Sequence, residues 1–319
     1  MTVPVVALVI GAIAVASWQN PGQRPVFRGS TDAVAIDVSV QKRNAPVNGL
    51  REGDFGVTDN GVAQSAKVQT IADVPADVSV VFDRSLAGQI SIGTRYDAAL
   101  RKIADALRPT DRLRVVEYAS DVREERPLSP VNGSTGSVVP DMASGAFAMG
   151  PRNRGGELVQ NALHDPNLQR DSVFDALLLA MAKPPEPGRR HLIVQFTFGV
   201  ESGSILTDGA LLSDVAARTD ALIQIGWWNR RIVNYAVDGT QSRYTRSCLA
   251  SAATATGGGA RDFDDVVGAF KSIFADFVQS YLITYDVSGV QRSGWHTVKV
   301  TIPGHPEYTV HARSGYVGH

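Results

Sequence analysis

Asp83 and Ser85 close the run Val78-Ser79-Val80-Val81-Phe82-Asp83-Arg84-Ser85. A carboxylate and a hydroxyl two residues apart are hard oxygen donors of the kind that hold magnesium, which takes near-octahedral oxygens at short range. The same side chains could instead accept hydrogen bonds from backbone N–H groups at a strand-to-helix turn, ordinary work for Asp and Ser. Their setting makes them candidates for function. The residues before them are almost continuously apolar, as in a parallel strand buried on both faces, and open α/β sheets bind ligands at the carboxyl tips of such strands.

Asp83-Arg84-Ser85-Leu86-Ala87 resembles the Asp-x-Ser-x-Ser element of von Willebrand factor A (VWFA) domains, with Ala87 in place of the second Ser. In that family the carboxylate and hydroxyls help hold a divalent cation at the metal-ion-dependent adhesion site. Asp171-Ser172-Val173-Phe174-Asp175-Ala176-Leu177 resembles the segment that carries the family's metal-binding Thr; Asp171 occupies the Thr position and Ser172 is one residue out of register. The strand His191 to Phe196 runs into Thr197-Phe198-Gly199, similar to the family's Ser-Asp-Gly with Phe198 for Asp.

The flanks resemble the bacterial VWFA-related domain family, in which β segments border the core. Ahead of the core, Val47-Asn48-Gly49-Leu50, Asp54-Phe55 and Asp59-Asn60-Gly61 match that family's marks. Beyond it, Thr256-Gly257-Gly258, Tyr281 with Tyr285, and Arg313-Ser314-Gly315-Tyr316 do the same.

The resemblance implies an α/β, VWFA-like doubly wound, mostly parallel sheet, with a small β-sandwich formed by the N- and C-terminal flanking strands. It implies a metal set of Asp83, Ser85 and Asp171, from which two ligands are lost because Ala87 and Phe198 bring no side-chain oxygen. Asp171 is the substitute ligand available, and Glu201 lies in the loop that would face the site. The expected contact surface for a protein partner is Asp83, Ser85, Asp171 and Glu201. No cofactor is expected; the alternative is Mg2+ or another divalent cation.

Periodicity supplies the elements that must hold these residues. Ile36, Val38 and Val40 alternate with Asp37 and Ser39 as in a half-buried strand, and Asn60-Gly61 marks a hairpin turn. After Asp83, helical spacing of Ile92, Tyr96, Leu100, Ile103 and Leu107 gives way to a strand over Leu113 to Tyr118. Helices over Val173–Met181, Leu211–Arg218 and Cys248–Thr256 each precede a strand, over Leu192–Phe196, Ala221–Ile225 and Ala260–Phe263. Val266 to Phe277 is a last amphipathic helix. Alternating helices and strands predict a largely parallel sheet covered on both faces. The period then returns to two around Val298, Val300 and Ile302. The resulting division is 1–25, a signal peptide or N-terminal anchor; 26–73, a β segment; 74–278, the VWFA-like domain; and 279–319, a β segment packing on 26–73.

Residues 132–156 are rich in Gly, Ser and Pro and read as a loop. The apolar run Val3 to Val15, with Ala14-Val15-Ala16 before Ser17, reads as an export signal; an uncleaved anchor is the alternative and the only membrane contact expected. A net charge of -1 with dispersed basic residues predicts no nucleic-acid binding, and the pairs Arg189-Arg190 and Arg230-Arg231 read as solvated edges. Cys248 is the single cysteine, so no internal disulfide forms, and it reads as a small buried hydrophobe.

Phosphate loops, nucleophile elbows and paired-ligand metal motifs are absent, and His164-Asp165 has no indicated nucleophile. Trp227-Trp228 at a strand end is either an interface or a packed pair. The reading is an exported, non-catalytic protein-binding module of VWFA type with a degenerate adhesion site, periplasmic or extracellular. The alternatives are a divalent-cation-dependent adhesion module using Asp171, and an enzyme whose chemistry the motifs do not reveal.

Overall fold

The computed structural model of the chain describes residues 33–84, 96–131, 171–182, 186, 188–228 and 239–318. Segment 1–25, Ser85, Ala87, Arg230-Arg231, the loop at 132–156 and His164-Asp165 lie outside them.

Five strands come first: β1 (Ala33–Lys42), β2 (Ala45–Pro46), β3 (Gly56–Asp59), β4 (Val62–Gln64) and β5 (Ala66–Thr70). The middle of the chain supplies β6 (Ala76–Asp83), β7 (Arg112–Tyr118), β8 (Val122–Pro130), β9 (Arg190–Thr197), β10 (Leu222–Trp228) and β11 (Gly259–Phe263). Its described helices are α1 (Tyr96–Ala104), α2 (Val173–Met181), α3 (Gly209–Arg218), α4 (Gly239–Ala255) and α5 (Val266–Val278). Four strands close the chain, β12 (Tyr281–Asp286), β13 (Gly294–Thr301), β14 (Thr309–Ala312) and β15 (Gly315–Gly318).

The six central strands form one sheet in the order β11-β10-β9-β6-β7-β8, parallel throughout except where β8 runs against β7. Every residue of β6 is buried because alternate side chains feed two separate cores. Val78, Val80 and Phe82 pack with Leu100 and Ile103 of α1 and Phe270, Ile273 and Phe274 of α5. Val81, Val116 and Ile193 pack with Leu177 of α2, Leu212 of α3 and Leu249 of α4. Strand β8 escapes the periodicity reading, since Arg-Glu-Glu-Arg-Pro shows no apolar alternation. Charges and proline suit a strand at a sheet edge, where they discourage further pairing.

The other strands make two smaller sheets, β14-β1-β12-β5 with β2 on β1, and β15-β13-β3-β4. Ile36, Val38, Ile283, Val57 and Val298, drawn from both, share one apolar cluster. At the β3–β4 turn, Asn60 (φ 47) and Gly61 (φ 82) take the left-handed conformations that a two-residue hairpin needs.

The marks that carried the family resemblance have physical work here. Tyr281 Oη donates to the Val47 carbonyl (2.8 Å) and accepts from Leu50 N–H (3.1 Å). Tyr285 and Tyr316 both donate to Asp59 Oδ2, at 3.0 and 2.7 Å, while Asp59 Oδ1 faces His296 Nδ1 at 2.8 Å. Arg313 donates to the Ala217 and Thr219 carbonyls at the end of α3 (2.9 and 2.8 Å).

Arg189 and Arg190 are not solvated edges. Arg189 donates to Asp77 Oδ1 (2.5 Å) and Arg190 is buried against Asp37 of β1, its Nε and Nη2 reaching the two carboxylate oxygens at 2.9 and 2.6 Å. Both partners are far away in sequence, and nothing in the local pattern announces them.

Candidate functional site

Strand order sets the place. From β6 the sheet grows through β7 in one direction, and from its neighbour β9 through β10 in the other. The crevice at the carboxyl ends of β6 and β9 is therefore the switch point at which such sheets take ligands. Asp83 ends β6 and Thr197 ends β9.

Asp83 and Asp171 both act on one side chain there. Both are buried, at 4% and 7% exposure, and both bear electrostatically on the hydroxyl of Tyr118. Burial, and after it the negative charge of Asp83, pushes that hydroxyl's pKa well above the ordinary tyrosine value; Asp171 adds to the effect, and hydrogen bonding to Thr197 and Gln195 opposes it. Tyr118 thus stays a neutral donor, its hydroxyl 3.5 Å from the Phe196 carbonyl. The next residue, Arg84, turns its guanidinium to Glu117.

The backbone of 171–172 is fastened on both sides. Ser172 N–H donates to the Ala119 carbonyl (2.8 Å), and the Asp171 carbonyl accepts from Ser202 and Gly203 N–H, both at 3.1 Å.

Glu201 is 7% exposed, and its carboxylate is taken up by donors of its own loop and of α2. Its Oε2 accepts from Phe174 N–H (2.9 Å) and Ser204 Oγ–H (2.7 Å), and its Oε1 from Gly203 and Ser204 N–H (2.9 and 2.7 Å). The carboxylate caps the first turn of α2 from across the loop, where negative charge complements the helix dipole. Asp175 returns the favour. Its oxygens accept from the N–H groups of Ile205 (2.8 Å), Leu206 (3.1 Å) and Thr207 (3.0 Å).

Two buried carboxylates therefore fix the loop 201–207, and its tip carries Ile205 and Leu206 at 89% and 70% exposure. Sequence reasoning missed Asp175 and this tip. The available signal was a pair of adjacent aliphatic residues inside an otherwise polar, Ser-rich turn.

The cation reading has to be tested against these donors. Phe198, where the family has Asp, sits 5.8 Å from the Trp228 ring as part of the apolar cluster. Glu201 is engaged elsewhere, and among the described residues no three of His, Cys, Asp and Glu are grouped to hold a metal. The described residues alone do not make up the oxygen shell that magnesium or calcium requires.

The tryptophans are packed. Trp227 and Trp228 are 6% and 7% exposed; Trp228 meets Phe263 edge-on at 4.8 Å, and the Arg246 guanidinium lies 4.6 Å over Trp227. Cys248 is half-buried within α4, which begins nine residues before the expected start at Cys248.

No protein-family model matches the chain, and no curated protein matches it. Among solved structures it is similar to proximal thread matrix protein 1 from the mussel byssus (TM-score 0.41, 12% identity, covering 67% of this chain and 48% of that one). It is also similar to a von Willebrand factor type A protein from Catenulispora acidiphila (TM-score 0.39, 11% identity, 92% and 76% covered). A third is BatB from Bacteroides thetaiotaomicron (TM-score 0.38, 12% identity, 64% and 96% covered). The chain thus spans about half the length of the mussel protein.

Proposed function

We propose that the chain is an exported, non-catalytic protein-binding module of VWFA type. Its contact surface is the strand-tip end of the main sheet around Asp83, Ser85, Asp171 and Glu201, and its adhesion site is degenerate. The observation that carries the reading is the loop tip. Single exposed aliphatic residues are commonplace, but Ile205 and Leu206 stand side by side on backbone that buried Asp175 and Glu201 hold in place. A partner then meets an apolar anchor whose ordering cost is already met, the condition under which contact area becomes affinity.

Export is supported by the Val3 to Val15 run and the small-residue site after it. Among the described residues no helix is long and apolar enough to cross a membrane. In the same reading, 26–73 and 279–319 form one sandwich-like unit bordering the doubly wound 74–278 domain, which the pairing of β1 with β12 supports.

A benzophenone photo-crosslinker placed at exposed Leu211, in the first turn of the helix that follows the tip, is expected to trap a discrete protein adduct in the source organism. Ile205→Asp with Leu206→Asp should weaken capture by about thirtyfold, the effect of losing ~2 kcal/mol at an anchor. Folding stability should stay within about 0.5 kcal/mol, as for other surface changes. Equal capture with the double variant would remove the tip from the interface.

The negative charge that Asp83 and Asp171 both bring to bear on the Tyr118 hydroxyl favours the second reading, a divalent-cation-dependent adhesion module with Asp171 as substitute ligand. A cation that binds only the folded chain must raise its thermal midpoint. After chelation, millimolar magnesium, calcium or manganese is expected to leave the midpoint unchanged; a rise abolished by Asp83→Ala would put the cation reading first.

A further inference from the structure

At the opposite end of the main sheet, where β10 and β11 begin, a cleft of about 600 Å³ opens between that sheet and β1 with β14. We propose that it binds a short extended segment of uncharged polar peptide, seated as an added strand along the edge of β11.

Among the described residues, strand β11 ends the sheet and pairs with β10 alone. Gly257 and Gly258 lead into the strand along the cleft, and the strand's first three residues, Gly259, Ala260 and Arg261, border it in succession, so the strand offers its edge there and not one face alone. At Gly259 a Cβ would meet nothing within 4 Å. A bare glycine on an edge strand lets another backbone come close, which strand addition requires.

The facing wall has the matching period. Ile36, Val38 and Val40 of β1 turn to the apolar cluster, Val38 also touching the cleft, and Asp37, Ser39 and Gln41 line the cleft at every second position. They are spaced by the two-residue repeat of an extended chain, about 6.6 Å. His311, which pairs with Ser39 across the ladder, and Gln224, which pairs with Gly259, widen the polar lining.

The chemistry of the lining selects the ligand. The side chains of Ser39, Gln41, Gln224 and His311 make no hydrogen bond to another described residue, so their donors and acceptors are available. The charges that line the cleft are already matched, Asp37 with Arg190 and Arg261 with Asp276 at 3.0 Å. A neutral polar partner fits this better than an ion. The one phenyl ring in the lining, Phe277, is 2% exposed and gives no stacking face for a sugar. The cleft is distinct from the strand-tip loop, and its ligand need not be the partner proposed there.

The test titrates the isotopically labelled full chain with pools of acetylated pentapeptide amides in which each position is Ser, Thr, Asn or Gln. At least one pool is expected to saturate and to move the amide signals of Gly257, Gly258 and Gly259. Gly259→Trp, which fills open space, and Gln41→Ala with Gln224→Ala on the two walls should each weaken binding at least about tenfold, the value of one or two hydrogen bonds. N-methylation of alternate peptide nitrogens should do the same, because an added strand needs those donors. The proposal is overturned if no pool saturates by millimolar concentration, or if the perturbed signals lie elsewhere. Equal binding of the N-methylated peptide would also overturn it, as would maltotriose saturating the glycine signals in place of the peptides.

Discussion

Arg190→Met is expected to lower the unfolding free energy by about 3–5 kcal/mol, the usual cost of removing one partner from a buried ion pair. Urea titration measures it. Arg190 is 5% exposed and Asp37 6%, and the guanidinium also donates to the Asp220 carbonyl at 2.8 Å. Burial opposes the charge on Arg190, but the Asp37 carboxylate more than compensates and lifts its pKa above the ordinary arginine value. Without Arg190, the carboxylate of Asp37 is left in a site with little water. The loss comes mainly from that abandoned charge, so Asp37→Leu combined with Arg190→Met should be far milder than Arg190→Met alone. Arg190→Lys should fall between, since an ammonium cannot make the two parallel bonds of a guanidinium. If the double variant is as unstable as the single, the pair is not the source of the effect.

Asp59→Ala is the second large effect. Its carboxylate is fully buried and serves three side chains, His296, Tyr285 and Tyr316. Burial, together with their neighbours in the cluster, raises both tyrosine hydroxyls above the ordinary value, so they remain donors in need of an acceptor. Each buried polar group so deserted costs about 1–3 kcal/mol, and the sum should rival the loss at Arg190. Tyr285→Phe, which removes one donor and strands nothing on the other two, should cost only about 1 kcal/mol. Hydrogen exchange checks where the damage goes. Protection should fall first in β3, β13 and β15, while amides of α5 keep theirs. Uniform loss would mean that the Asp59 cluster belongs to the same cooperative unit as the main sheet.

What could be read in the sequence was what local pattern encodes. The apolar run of β6, the helix Val173–Met181 and the amphipathic α5 stand where their periodicity puts them, and Asn60-Gly61 makes its hairpin. Residues Gly239 to Ser247 of α4 are almost wholly polar and gave no helical signal; packing of α4 on α3 and the sheet makes them helical. Strand β8 was hidden because an edge strand is selected for charge and proline. At the site, the place of Asp83 at the end of a buried strand was legible in the apolar run before it, whereas the direction of Glu201 was not. A carboxylate in a loop looks the same in sequence whether it faces a ligand or caps the helix beside it, and only the distance to Phe174 N–H decides. Arg190 taught the same lesson, with its partner 153 residues away.

The pairing of β1 with β12, Val38 opposite Tyr281 and Ala33 opposite Asp286, has a consequence for how the chain is made. A ribosome releases β1 long before β12 exists, and closing so long a loop is slow. The main sheet is assembled from strands released in between, so it can form while Ile36, Val38 and Val40 still lack their cover. During that interval β1 is an apolar strand with a bare edge, open to pairing with β12 of a second copy. Crowded synthesis therefore favours exchange of β1 between chains, and a chaperone that holds extended apolar segments would act on this strand first.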